Sequence, residues 1–310
     1  MRSASMLHAG VALWVLAGTA FADGVPDLRP SVTIWSSLGH LSGKAKERVY
    51  NPDGSKLSEL VWDMENALVL NVGMTAAATE RISFYGNASI GLAADSKLNN
   101  YDWIGAPPPA DPDLHSWHDD TELDHYYTLD AGLSFALLDT GSNRFSVLGG
   151  FKYTDTQWTA RGGCYDYEFF GVQGCFEDGE KGITYRQLLP AVYAGLGYLG
   201  SFDRWSFSVE GRAGYTLNSA EAQDNHWLRD RYFVDYLQGA PYAAVNGKAG
   251  YAVSQRTSIF GSVAYDKFFE MNGETSIENT VTGDILRTNY DSGGADLYTL
   301  NMAVGLDYAL

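Results

Sequence analysis

Asp224 and His226 stand two residues apart where a regularly alternating stretch runs out into a polar one. Before them, Trp205, Phe207, Val209, Ala213, Tyr215 and Leu217 take odd positions, while Ser206, Ser208, Glu210, Arg212, Thr216 and Asn218 take even ones. Successive strand side chains point to opposite faces. Continued at the same parity, the strand turns Asp224 and His226 to its polar face and Asn225 away. A carboxylate beside an imidazole can orient it as a general base. Facing a further acidic residue, such a pair can hold and deprotonate a water without any Ser or Cys nucleophile. An exposed loop with an incidental Asp and His has the same spacing, so the surrounding elements have to discriminate.

The chain has 310 residues. Residues 1–22 read as a secretory signal, with Arg2, an apolar run from Val11 to Leu16, and Ala20-Phe21-Ala22 at the cleavage point. That run is too short to span a bilayer, and no later window of about 18 residues is continuously apolar. This argues against a helical membrane protein but not a barrel, whose alternating strands have ordinary mean hydropathy. Aromatic residues make up 14%, with 20 Tyr and 8 Trp, and there are 34 Gly. Such a mix suits aromatic girdles and small inward-facing positions. The net charge is −17, one unit more negative once Arg2 leaves with the signal. It argues against nucleic acid and for a cationic peptide or protein as partner. Cys164 and Cys175 lie 11 positions apart in one loop-like segment. In an exported chain they pair most simply as a local disulfide, and two cysteines are too few to hold a metal.

From residue 23 onward the pattern predicts ten strands, at about 31–50, 57–77, 82–92, 122–138, 144–160, 183–199, 205–217, 232–253, 257–271 and 298–310. Short turns such as Asp139-Thr140-Gly141-Ser142-Asn143 and Gly200-Ser201-Phe202-Asp203 alternate with longer polar loops. An even strand count with short turns on one side and long loops on the other describes an all-β, ten-stranded antiparallel transmembrane β-barrel with long extracellular loops. The inward-facing Asn87, Glu210, Arg212 and Asp307 suit a polar lumen better than the core of a soluble all-β enzyme, the alternative fold. With the N-terminus periplasmic, Asp224 and His226 come to the outer rim. The third strand's loop brings Asn99-Asn100-Tyr101-Asp102-Trp103 to the opposite side of the mouth.

Four tracts then stand out: Leu41-Ser42-Gly43-Lys44-Ala45-Lys46-Glu47-Arg48-Val49-Tyr50, Tyr101-Asp102-Trp103, Thr159-Ala160-Arg161-Gly162-Gly163 and Asp224-Asn225-His226. On these the chain resembles the omptins, outer-membrane endopeptidases of Gram-negative bacteria, across essentially its whole mature length. The resemblance implies a catalytic dyad at Asp224 and His226, with a facing Asp pair that helps activate water. The second member of that pair falls on Asp102 and the first on Asn100. Asn can hydrogen-bond a water or an oxyanion but cannot take a proton, so weakened hydrolysis is expected. Removing one like charge also leaves Asp102 easier to ionise than in a paired site.

The family's recognition of basic side chains maps onto Glu47. Its acidic companion falls on Ala222, with Glu221 next door as a substitute; the plainer reading pairs Glu47 with Lys44 or Lys46 on the rim. The arginines that hold lipopolysaccharide in many omptins fall on Asp155 and Leu188, so that lipid stays a candidate cofactor whose usual phosphate contacts are absent. His115, His118, Asp119 and Asp120 could meet at a divalent metal, but a solvated loop is the plainer reading and no metal is expected; His40 and His125 carry no spacing that implies a site. The reading is a surface endopeptidase acting on cationic substrates. Its alternative is a weak or inactive omptin-like barrel that binds peptides or acts as an adhesin. A passive channel fits poorly, because ten strands leave little lumen once side chains fill it.

Overall fold

The computed structural model describes residues 32–105 and 110–310, so the signal at 1–22 and the proline run at 107–109 lie outside the described residues. In chain order the strands are β1 (Val32–Tyr50), β2 (Lys56–Ala77), β3 (Ile82–Ala93), β4 (Asp95–Asp102), β5 (Leu114–Asp139), β6 (Asn143–Arg161), β7 (Cys164–Tyr167), β8 (Val172–Cys175), β9 (Lys181–Phe202), β10 (Trp205–Thr216), β11 (Ala220–His226), β12 (Arg231–Leu237), β13 (Pro241–Ala252), β14 (Thr257–Asn279), β15 (Ile285–Arg287) and β16 (Gly293–Ala309). All belong to one antiparallel sheet. β1 bonds to β2 on one side and to β16 on the other, which closes the sheet into a barrel. Closure leaves no unpaired backbone edge to face lipid.

Three staves of the ring are each made of two strands, β3 with β4, β10 with β11, and β12 with β13. With those joined, ten staves run in the order the sequence predicts. Much of what reads as long loop is instead strand: β4 takes 95–102 and β5 already starts at Leu114, and β11 with β12 continue the ladder beyond residue 217. These segments stand above the lipid with water available outside, so they need no outward apolar residues and their alternation is weak. The first extracellular connection is likewise a tight turn. Asn51 N–H donates to the Ser55 carbonyl at 2.9 Å, and Asp53 accepts from both the Ser55 backbone (2.9 Å) and hydroxyl (2.6 Å).

Ile34, Leu38, Val72, Leu133, Leu196 and Val304 are exposed on the outside, as a lipid-facing belt requires. Inside the belt the lumen is filled by ion pairs. Arg212 donates to Asp130 at 2.5 Å and to Glu210 at 2.8 Å, Lys152 to Asp266 at 2.6 Å, and Lys248 to Asp307 at 2.5 Å. Tyr193 donates to Asp130 and Tyr242 to Asp266. Above these lies an aromatic layer in which Trp62 stacks on Tyr185 (centroids 5.5 Å apart) and leans on Trp158 (6.1 Å), all three fully buried. That layer is the floor of the extracellular cleft.

One local inversion matters for the site. On β3 the even residues Phe84, Ile90 and Leu92 face outward, whereas on β4 the even residues Ser96, Leu98 and Asn100 are buried inward. The pairing with β2 slips by one residue between Leu68 and Val69, opposite Ala93 and Gly91. A bulge of one residue exchanges the two faces, and it brings Asn100 into the cleft.

The Arg212 cluster makes a stability test. Arg212→Ala strands Asp130 and Glu210 without their cation, a loss of roughly 3–5 kcal/mol for breaking a buried pair. The urea midpoint of the barrel refolded in detergent should fall accordingly; an unchanged midpoint would mean that water solvates the lumen and the pairs carry no weight.

Candidate active site

The first signature tract is the outer half of β1, and its alternation sorts charges by face. Outward, Lys44 pairs with Asp63 at 3.0 Å, Lys46 with Glu59 at 3.1 Å, and Arg48 with Glu59 at 3.0 Å and Asp296 at 2.7 Å. Inward, Leu41, Ala45 and Glu47 are buried. The rim lysines therefore have other partners, and Glu47, 3% exposed, stands in the cleft with its Oε2 buried and unpartnered among the described residues. The plainer reading of Glu47 as a rim ion pair is corrected.

β11 lies between β9 and β12, with Asp224 in register with Tyr185 and Phe233. Alternation turns Ala220, Ala222 and Asp224 inward. His226 presents Nε2 to Asp224 Oδ2 at 2.6 Å, and Phe233 packs edge-on against the imidazole with centroids 5.4 Å apart. Asp224 Oδ1 is buried without a partner among the described residues. Across the cleft, Ser58 Oγ donates to Asn100 Oδ1 at 3.2 Å, and the Asn100 amide reaches Asp102 Oδ2 at 3.4 Å. Between the two sides is a cavity of about 90 Å³ lined by Asn100, Ser116, His118, Tyr167, His226 and Arg229 among others, ample for a water molecule.

Dehydration sets the protonation of these groups. Burial, then the charge of Asp224 beside it, pushes the Glu47 carboxyl well above the ordinary carboxylate range. Burial lifts Asp224 to about 7, against the pull of the adjacent Glu47 side chain and of the Arg229 cation. Burial also pulls His226 down to about 4, and Arg229 adds to this while Glu47 and Asp102 oppose it. Asp102 is raised by burial, but Ser58, Arg229, His226 and Asn100 all favour its ionised form. The imidazole is thus neutral at physiological pH, as a base must be before it accepts a proton.

Asp235 is the acidic residue that strand alternation alone did not reveal. It sits on β12 directly across from Ala222, is buried, and accepts from Thr275 Oγ1 at 2.6 Å. Burial lifts it to about 7. Gly293 makes room for it, since a Cβ there would lie 2.2 Å from the carboxyl carbon. Its field reaches Glu47. Glu221, by contrast, has the opposite parity from Ala222 and accepts from its outward neighbour Gln223 at 3.2 Å. It is on the wrong face to stand in beside Glu47.

The remaining sequence features fall into place around this cleft. Cys164 and Cys175 are bonded to each other and are register partners in the β7–β8 hairpin. Gly162 and Gly163 precede it with φ of +49° and +96°, a left-handed turn that suits glycine, and a Cβ on Gly163 would lie 2.4 Å from the Trp117 carbonyl. The histidine-rich tract diverges. His115 stacks on Tyr101 with Nε2 3.1 Å from Asn99, His118 turns inward with Nδ1 2.6 Å from the Gly162 carbonyl, and Asp119 and Asp120 are exposed. On the outer wall, Asp155 and Leu188 are register partners. Asp155 accepts from Arg186 at 2.8 and 2.6 Å and lies 2.8 Å from His125 Nε2. An arginine is therefore present there, two residues from Leu188, with its own carboxylate attached.

The model of the omptin family matches residues 29–310. Among curated proteins, the plasminogen activator of Yersinia pestis is 28% identical over 301 residues, covering 95% of this chain and 96% of that protein. The outer membrane protease IcsP of Shigella flexneri is 28% identical over 88% of both chains. Protease 7 of Escherichia coli K12 is 27% identical over 98% of this chain and 97% of its own. The crystal structure of the outer membrane protease OmpT from Escherichia coli superposes with a TM-score of 0.84 at 23% identity, covering 94% of this chain and 99% of that one, and corroborates the fold. With a family match across nearly the whole chain and a closed barrel that carries its cleft on the extracellular side, this protein belongs to the omptin family of outer-membrane proteases.

Proposed function

We propose that this barrel is an endopeptidase that cleaves cationic peptides or proteins near basic residues, using water activated by His226. The observation that carries this reading is the 2.6 Å contact between His226 and Asp224 at the edge of a cavity that Asn100 lines from the far side, with Asp102 behind it 3.4 Å from the Asn100 amide. Asp224 takes one imidazole nitrogen and fixes the ring, leaving Nδ1 to accept a proton from water. Asp102, whose carboxyl burial raises against the partly offsetting pull of Ser58, Arg229 and His226, holds that water from the other side. Hydroxide adds to the scissile carbonyl, and the imidazolium then returns the proton to the leaving amine.

Selectivity follows from the carboxyls beside the dyad. Glu47 and Asp235 are buried and acidic, and the charge of Asp235 helps raise the proton affinity of Glu47. A Lys or Arg side chain entering between them would draw off a proton and receive charge-assisted hydrogen bonds. Arg186 already has Asp155 as counter-ion, which supports activity without a bound lipid phosphate. The peptide-binder reading keeps one feature on its side, Asn100 in place of a second Asp.

With a dibasic peptide and the barrel refolded with and without lipopolysaccharide, cleavage should occur in both. His226→Ala should lower kcat by about 10²–10⁴-fold, the range for loss of a general base. Binding without cleavage by the unaltered barrel would instead establish the binder reading.

The pH dependence has a definite sign. Asp224 and Asp235 keep their protons up to about 7, so the dyad and the basic pocket both gain their working charge as pH rises through neutrality. kcat/KM should climb from pH 6 to pH 8, and Asp235→Asn should raise KM roughly tenfold or more, the size of one hydrogen bond to a charged group. A profile already flat at pH 6, or an Asp235→Asn variant with unaltered KM, would contradict this.

A further inference from the structure

Arg229 closes the single helical turn Trp227–Arg229 that follows His226. Trp227 pins that turn to the outer wall: its Nε1 donates to Thr184 Oγ1 at 3.0 Å, and Lys181 lies over its ring at 4.1 Å. Asp230 then reverses the chain at φ +51°, one of two non-glycine residues with positive φ among those described. Left-handed backbone at such a residue costs on the order of 1–2 kcal/mol, and here it directs Leu228 and Arg229 over the cleft, where both line the cavity with Asn100 and His226. The neighbourhood is acidic, yet the Arg229 side chain makes no ion pair or hydrogen bond among the described residues. Its field nevertheless reaches Asp102, Asp224, His226 and Tyr167.

From this placement we infer that Arg229, together with the Asn100 amide, is a catalytic residue that holds the oxyanion of the tetrahedral intermediate. The inference rests on the hydrolytic reading above. As hydroxide bonds to the carbonyl carbon and His226 takes the water's other proton, the C=O π pair moves onto oxygen. The resulting alkoxide has a guanidinium and an amide N–H to bind. It then re-forms the carbonyl and expels the amine, which leaves with the proton from His226; a carboxylic acid remains and ionises. Arg229 itself is exposed at the mouth, so it acts on the alkoxide once bound substrate covers it, and donors aimed at developing charge act strongly when water is excluded. Asn100 thereby acquires a positive reason for being neutral. A carboxylate at that position would pair with Arg229 and take the oxyanion's place, so the weakening expected from Asn100 is offset by a cation.

The test uses two ligands of the refolded full barrel. A dibasic phosphinate peptide presents a tetrahedral anion, whereas the same peptide with a reduced amide has no carbonyl oxygen. Arg229→Ala should weaken the phosphinate about 10²-fold and leave the reduced-amide peptide within about threefold, and kcat should fall about 10²-fold. Arg229→Lys should recover part of each loss, and Asn100→Asp should lower kcat rather than raise it. His226 is faced by Asp224 on its own strand, Glu47 from β1, Asp102 from β4 and Arg229, with Asp235 from β12 acting on Asp224 and Glu47, so removing the cation should also move the rise of kcat to higher pH. Equal effects on both ligands, or a kcat unchanged or raised in Arg229→Ala, would overturn the role and leave Arg229 as an obstruction. If the unaltered barrel cleaves no dibasic peptide, the hydrolytic reading and this role fall together; if it cleaves and Arg229→Ala equals it, only this role falls.

Discussion

Withdrawal of water from Asp224 and His226 is the constraint on which the rest of the site depends. A carboxylate and an imidazole in bulk water interact weakly, and the imidazole there carries a proton in a substantial fraction of molecules near neutrality, with its orientation free. At 2.6 Å in the cleft, burial raises the carboxyl, lowers the imidazole and leaves the ring neutral with a fixed orientation. That state requires a dry floor, which Trp62, Trp158 and Tyr185 provide. It also requires that no adventitious cation collapse onto the carboxyls. The outward ion pairs of Lys44, Lys46 and Arg48 meet this second need by engaging the nearest cations on the opposite face of β1.

The barrel is well suited to such an arrangement because strand alternation separates inside from outside one residue at a time. The tract from Leu41 to Tyr50 carries four charges in five residues, Lys44, Lys46, Glu47 and Arg48, and alternation alone sends the acid inward and the bases outward. Below it the lumen is closed by Arg212, Lys152 and Lys248 with their carboxylates. The candidate cleft is thereby confined to the extracellular mouth, and the wall itself carries the proposed catalytic residues on paired strands, where neighbouring ladders fix them more firmly than a free loop would.

Much of this was legible in the sequence, for identifiable reasons. Period-two alternation is a local property, so the ten staves, the face of Arg212 and the shared face of Asp224 and His226 could be read residue by residue. Facing across the barrel is not local. Asp235 neighbours Ala222 only through the register of β11 with β12, and nothing in the spacing of either strand reports it; the substitute Glu221, adjacent in sequence, is excluded by the same alternation that places Ala222 inward. Asn100 reaches the cleft only through the bulge that inverts β4 relative to β3. Polar strands above the membrane lack the apolar face that marks a strand, which is why β4 and β11 read as loops. Arg229 depends on a left-handed Asp230 and a pinned Trp227, features with no sequence period.

The protonation state of His226 tests the central claim most directly. The barrel refolded with ¹⁵N-labelled histidine, with a His226→Ala sample to assign the signal, reports the imidazole nitrogens by NMR across pH. A neutral ring at pH 7 that takes its second proton only near pH 4 is the expected result. An imidazolium at pH 7, or a titration at or above the unperturbed histidine value of about 6.5, would contradict it and remove the general base from the proposed reaction.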